Sequence, residues 1–322
     1  MKHLRLTFSY IWVLLTPALL LSEPLFDHKT EYPVGSAPID IIAADFTGDG
    51  YADLALTNFT YGSSIDLSIL INQGDGTFTD YTYYSTGRNY LRAMTAADLD
   101  NDGDIDLALA RAGGTYNVIT MLNDGNGTFQ LSQTYDAGDN ALSICAYRLN
   151  TDNWIDLAVA YEESNDVAVL FNNGDGTYTD TPHFACGPWA TSITGGDFNK
   201  DGAVDLVVTN AVSAFDPGRV SVYLNTGNGT FWDSVNYPAG NQPYSVIAGD
   251  FDDDDNLDLA VADGDYDGYV LVLFGSDNAV FQDPVSYDIG HNALDVIAAD
   301  LDNNGSLDLV AGTGSDSSIV IF

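Results

Sequence analysis

Asp98-Leu99-Asp100-Asn101-Asp102-Gly103-Asp104-Ile105-Asp106-Leu107 is the stretch on which the fold turns. Carboxylates stand at its first, third, fifth, seventh and ninth positions, with glycine at the sixth. On a tight turn alternate side chains converge, and glycine lets the backbone bend sharply there. A backbone carbonyl at position seven can complete the oxygen shell of a hard divalent cation; calcium takes about 6–8 oxygens at roughly 2.3–2.6 Å. A single copy could equally be an acidic surface turn, because Asp and Gly are common in turns.

The motif recurs through the chain. Ligands by position are Asp45, Thr47, Asp49, Tyr51 and Asp53 in the first copy, and Asp98, Asp100, Asp102, Asp104 and Asp106 in the second. The fourth copy has Asp197, Asn199, Asp201, Ala203 and Asp205. The fifth has Asp250, Asp252, Asp254, Asn256 and Asp258, and the sixth Asp300, Asp302, Asn304, Ser306 and Asp308. Position seven acts through its carbonyl, so its side chain is free to vary. The third copy, Arg148 to Asp156, has a cation at its first position, so calcium is expected at five sites. Asp255 replaces the turn glycine of the fifth copy, which puts that loop's geometry in question. First positions are 53, 50, 49, 53 and 50 residues apart, a period that means stacked supersecondary units. EF-hands are excluded: their loops close with Glu at position twelve and enter a helix, whereas here Leu56 and Leu109 fill that position within short apolar runs.

At 322 residues and 45% hydrophobic the chain can bury a large core. Its formal charge of −38 comes from 47 acidic against 9 basic residues, and the six loops hold 22 of the acids. Such a chain repels nucleic acid and anionic lipid. Residues 1–22, with Lys2 and Arg5 ahead of an apolar stretch, read as a secretory signal, with an uncleaved anchor as the alternative. A secreted or periplasmic location is expected, with residues 23–322 forming one domain, no membrane insertion of the mature chain, and a monomer. Cys145 and Cys186 fall at opposite ends of corresponding strands in successive repeats, which argues against a disulfide.

Each repeat carries four strand signals. Strand A precedes the acidic loop, B follows it (Leu107 to Ala110), and C is typified by Val167 to Phe171. A hairpin such as Asn72-Gln-Gly-Asp-Gly-Thr-Phe78 leads into D; its Asp-Gly pair favours positive φ. Four antiparallel strands repeated radially predict an all-β β-propeller with six four-stranded blades. Seven blades and a β-sandwich are the alternatives. The sixth repeat stops after its C strand, and residues 26–45 match residues 281–300 at equal length, so residues 26–32 are expected to complete the last blade and close the ring.

Gly35-Ser36-Ala37-Pro38 and Gly240-Asn241-Gln242-Pro243, each ahead of a D-x-[DNT]-x-[DN] loop, resemble the FG-GAP and VCBS repeats of integrin α chains and many secreted bacterial proteins. The resemblance spans residues 26–322. It implies a propeller with calcium in its A–B loops, bound by the residues named above, and roles in adhesion or ligand binding.

Following strand direction, A–B loops and C–D hairpins share one face, and B–C and D–A loops the other. The first face is nearly uniform across repeats; the second is divergent, where binding usually resides. Arg88, Tyr90, Arg92, Trp189 and Tyr244 fall there as candidate ligand contacts. The expected function is a non-catalytic binding or adhesion module for a glycan or an extracellular protein, with calcium as the cofactor. A secreted polysaccharide hydrolase or lyase is the alternative, although no G-x-S-x-G or H-E-x-x-H motif is present. A purely structural envelope role is the third possibility.

Overall fold

The computed structural model describes residues 30–59, 66–79, 81–87, 90–115, 117–180, 183–211, 217–314 and 318–322. The chain divides into a first unit, Met1–Pro33, of which residues 30–33 are described and carry no strand, and a second, Val34–Phe322.

The second unit is built of antiparallel sheets, one per repeat. Blade 1 holds β1 (Pro38–Ala44), β2 (Asp53–Asn58), β3 (Leu67–Leu70) and β4 (Thr82–Tyr84); blade 2 holds β5 (Leu91–Ala97), β6 (Asp106–Arg111), β7 (Val118–Asn123) and β8 (Phe129–Tyr135). Blade 3 holds β9 (Ala141–Tyr147), β10 (Asp156–Tyr161) and β11 (Asp166–Asn172), with an outer edge in two pieces, β12 (Tyr178–Asp180) and β13 (Phe184–Ala185). Blade 4 holds β14 (Ala190–Gly196), β15 (Asp205–Asn210), β16 (Arg219–Tyr223) and β17 (Val235–Pro238). Blade 5 holds β18 (Pro243–Gly249), β19 (Asp258–Asp263), β20 (Tyr269–Leu273) and β21 (Val285–Asp288), and blade 6 holds β22 (Ala293–Ala299), β23 (Asp308–Thr313) and β24 (Ile319–Ile321). This is a six-bladed β-propeller, as the fifty-residue period requires. The expected closing strand falls largely outside the described residues, since 26–29 are not described.

Apolar side chains on both faces of the inner strands explain the stacking. β10, β15 and β19 are buried at every position. Blade 1 meets blade 2 through Ala55 and Ile69 against Met94, Leu107 and Ile119, and four further apolar clusters join blades 2–3, 3–4, 4–5 and 5–6. The seam between blades 6 and 1 differs. Ile41 is 58% exposed, whereas its counterparts Met94, Ile144, Ile193, Val246 and Val296 lie between 1% and 6%. Ile319 and Ile321 are 58% and 42% exposed where Val270 and Val272 are at 0% and 2%.

Every innermost strand begins with a β-bulge. The register skips Ile39, Arg92, Leu142, Thr191, Tyr244 and Leu294 in blades 1 to 6. A bulge re-aims one side chain and sharpens the local twist; here it sets one variable residue per blade where the A strand starts. Cys145 and Cys186 are free thiols buried in the blade 3–4 cluster, each pushed up to about 12 by that burial.

Candidate functional site

The acidic loops share one hydrogen-bond plan. The first-position carboxylate accepts the backbone N–H groups of positions five and six: Asp45 from Asp49 (3.2 Å) and Gly50 (2.8 Å), Asp197 from Asp201 (3.0 Å) and Gly202 (2.9 Å). Asp250 and Asp300 do the same for their loops. Position five accepts the N–H of position seven at Tyr51, Asp104, Ala203, Asn256 and Ser306. Position seven therefore has a backbone role, and its side chain can vary. Tyr51, Asp104 and Trp154 lie against the hairpin glycines Gly74, Gly125 and Gly174, where an added Cβ would stand 2.4–2.8 Å from them. A–B loops and C–D hairpins thus share a face. Asp255 adopts φ 67° at position six, matching the glycines at 89–97° in the same place, so the fifth loop keeps the common turn. Sequence reading missed position four, which is also left-handed at Gly48, Asn101, Lys200, Asp253 and Asn303.

Position nine does more than the expected ligation. Asp53, Asp106, Asp156, Asp205 and Asp258 are each at 0% exposure. One oxygen accepts the N–H of position two: Phe46, Leu99, Leu149, Phe198 and Phe251, at 2.8–3.1 Å. The other accepts the N–H that opens the C–D hairpin, from Asn72, Asn123, Asn172, Asn225 and Gly275, at 2.7–2.9 Å. The carboxylate clamps loop to hairpin, which explains why Asp156 persists in the third repeat. Burial pushes Asp106, Asp156 and Asp205 up to about 6 despite these donors.

Three loops gather carboxylates closely enough for one ion: Asp98, Asp100 and Asp106; Asp250, Asp252 and Asp254; and Asp300, Asp302 and Asp308, with ligand atoms within 4.8 Å of one another. In loops 1 and 4 position three is the neutral Thr47 or Asn199. Burial, then the neighbouring carboxylate, raises Asp100 and Asp252 above the usual range. Asp98 Oδ1 and Asn256 Oδ1 are shielded from solvent with no hydrogen-bond partner. Orphaned oxygens among converging carboxylates fit a hard divalent cation. The third loop does not fit: Arg148 Nε donates to Asn153 O (2.9 Å), so a guanidinium takes the cation's part.

The opposite face is built from B–C and D–A loops, tied where Phe59, Ala112, Ala211 and Gly264 donate N–H groups to Ala37, Tyr90, Trp189 and Gln242. Tyr90 and Trp189 directly precede β5 and β14, with φ of 71° and 54°, while Arg92 and Tyr244 are bulge residues. Tyr90 meets Phe59 edge-on (5.1 Å), and Arg92 stacks over the same ring at 4.8 Å. Phe59, from the B–C loop of blade 1, is the ring that both of them contact, and sequence reading did not single it out. Trp189, 51% exposed, and Tyr244, 39% exposed, stand in blades 4 and 5. Arg88 lies outside the described residues.

Six antiparallel sheets, four-stranded in most blades and with one acidic loop each, define a repeat propeller of the kind that carries binding or adhesion surfaces. Residues 45–109, 98–159, 148–208 and 210–261 match the FG-GAP-like repeat model, and the chain belongs to that family. No curated protein matches it. Among solved structures it is similar to BBS1N in complex with ARL6DN, at 12% identity and TM-score 0.49, over 90% of this chain and 93% of that one. It is also similar to the V. cholerae biofilm matrix protein Bap1, at 19% identity and TM-score 0.44, over 79% of this chain and 40% of Bap1. Among the described residues no helix is long and apolar enough to cross a membrane.

Proposed function

We propose that this chain is a secreted, calcium-stabilised, non-catalytic binding module whose ligand, a glycan or an extracellular protein, meets the B–C and D–A face. The carrying observation is a contrast between the two faces. One repeats a single hydrogen-bond plan from blade to blade; the other presents different side chains at equivalent positions, Ile39, Arg92, Leu142, Thr191, Tyr244 and Leu294. Calcium in loops 1, 2, 4, 5 and 6 stiffens the scaffold, while Tyr90, Trp189 and Tyr244 supply flat contact area at low entropic cost. Arg92, and Arg88 beside it in sequence, supply polar anchors.

The test screens the protein on glycan and extracellular-protein arrays in millimolar calcium, followed by Trp189→Ala combined with Tyr244→Ala. Binding should fall at least tenfold while melting stays calcium-dependent. Intact affinity, with loss on altering the hairpin at residues 72–78 instead, would place the ligand on the calcium face.

A further inference from the structure

We propose that Arg219 and Trp189 form a subsite on the rim of blade 4 for a carboxylate-bearing saccharide unit. This rests on the binding-module reading and names the chemistry of its ligand. In a chain with 47 acidic and 9 basic residues, an arginine has an excess of carboxylates to pair with. Among the described residues Arg219 pairs with none of them. It opens β16, where it sits opposite Asn210 and Pro238. Its Nε is shielded from solvent without a hydrogen-bond partner, and the ion pairs among the described residues, His183–Asp166 and Lys200–Asp277, do not include it. A charged donor left unpaired out of water is costly, and a guanidinium fork is matched best by a carboxylate.

Among the described residues Arg219 makes no hydrogen bond to the D–A loop. In blade 1 the residue at this place, Asp66, tethers that loop by accepting the Thr86 N–H (2.9 Å) and hydroxyl (2.7 Å). In blade 5 the place holds Tyr269, and Asp263 at the end of the B strand tethers the loop through the Asn241 and Gln242 N–H groups. In blade 4 that task falls to Asn210, whose Nδ2 donates to Gly187 O and Pro188 O, both at 3.4 Å. The Arg219 guanidinium instead lies against Gly187, where an added Cβ would stand 2.6 Å from Nη2. Glycine there leaves room for the guanidinium beside the loop that ends in Trp189.

Trp189 is the second half of the subsite. Its backbone is pinned on both sides, with its N–H donating to Asn165 Oδ1 (3.1 Å) and its carbonyl accepting from Ala211 N–H (3.1 Å). The left-handed turn itself belongs to the fold, because Ala37, Tyr90 and Asn140 share it. What is particular to blade 4 is the indole it holds, half-exposed, two residues from the glycine that seats the guanidinium. An aromatic face packs against the C–H groups of a sugar ring, and a guanidinium beside it takes a ring carboxylate. An acidic peptide offers the carboxylate without the rigid apolar face. A formal charge of −38 disfavours polyanions, so the fitting ligand carries isolated carboxylates on an otherwise neutral glycan.

Calorimetry in millimolar calcium tests this with a glucuronate-capped trisaccharide, the same trisaccharide with its carboxyl reduced to an alcohol, and an acidic hexapeptide. The wild type should bind the acid at least tenfold more tightly than the reduced form. Arg219→Gln should bring the two to equal affinity, Arg219→Lys should keep part of the difference, and Trp189→Ala should weaken both. Melting within a few degrees of wild type shows that each variant is folded; Trp189→Tyr, retaining an aromatic face, serves if Trp189→Ala is not. The proposal is overturned by equal wild-type affinity for the two trisaccharides, by a carboxylate preference that survives Arg219→Gln, or by a hexapeptide that binds as well as the acid. Trp189-dependent binding of the reduced form with no gain from the carboxylate leaves the binding module standing and removes this subsite. No binding of either trisaccharide removes it too, and the module reading then rests on the array.

Discussion

Position nine shows how one residue combines two roles. Asp106 closes a carboxylate trio and clamps the loop to its hairpin, whereas Asp156 clamps in a loop that has no such trio. An amide in its place turns one acceptor into a donor that faces a backbone N–H. Asp156→Asn should therefore cost about 1–3 kcal/mol equally with and without calcium. Asp106→Asn should cost that much and also lower calcium stoichiometry by one; paired chemical melts with and without chelator separate the two. The buried carboxyls carry a pH dependence as well. Asp106, Asp156 and Asp205 ionise near 6 when folded, against an ordinary 3.8. Between roughly pH 4 and 6 the folded state holds protons that the unfolded chain has released. Stability of the chelator-treated protein should fall as pH rises through that window and level off above it. Calcium favours the ionised forms of Asp106 and Asp205 and should flatten the slope. A melting temperature that climbs from pH 4 to 6 in chelator would contradict this.

At the scale of the element, the C–D hairpin is a staple between blades. Asn123, Asn172 and Asn225 each donate Nδ2 to position two of the previous blade's loop, at Phe46 O, Leu99 O and Leu149 O (2.7–2.8 Å). Blade 5 has Gly275 in that place, and the Ala279 N–H reaches Phe198 O instead (3.1 Å). The third loop is the informative exception, because its turn survives without a first-position carboxylate. Asn153 keeps φ 74°, and Asp152 still accepts the Trp154 N–H. Restoring the ligand by Arg148→Asp should thus raise the calcium count from five to six, read by metal analysis after dialysis. A count that stays at five would show that Asn150 and Trp154 do not leave a usable site.

For the whole molecule the dominant quantity is charge. Five calcium ions would change the formal −38 to −28. Sites filled tens of times above their dissociation constants should each add roughly 2 kcal/mol. Chelation should lower the melting temperature by many degrees; identical melts in chelator and in millimolar calcium would remove calcium from the account. Blade interfaces are unequal contributors. Met94→Ala empties a closed interface and should cost about 2–5 kcal/mol. Ile41→Ala, at the equivalent but open position of blade 1, should cost under about 1 kcal/mol. Equal losses in denaturant melts would mean that the seam between blades 6 and 1 is as closed as the rest.

The sequence by itself determined the blade count, the loop positions and the two-faced division. These follow from local patterns repeated every fifty residues, and repetition turns a weak turn signal into a strong one. The glycine at position six was legible because it acts within its own loop. The tertiary structure alone decided which carboxylates also clamp, where the bulges fall, and that among the described residues Arg219 Nε is left without a hydrogen-bond partner. Those depend on groups far apart in the chain. Asp53 meets Asn72, Asn123 reaches back 77 residues to Phe46, and Asn210 reaches back 23 residues to Gly187. A carboxylate that accepts two backbone N–H groups reads in sequence like one that faces an ion. The difference arises only when the blades pack and decide which oxygens are left without a donor.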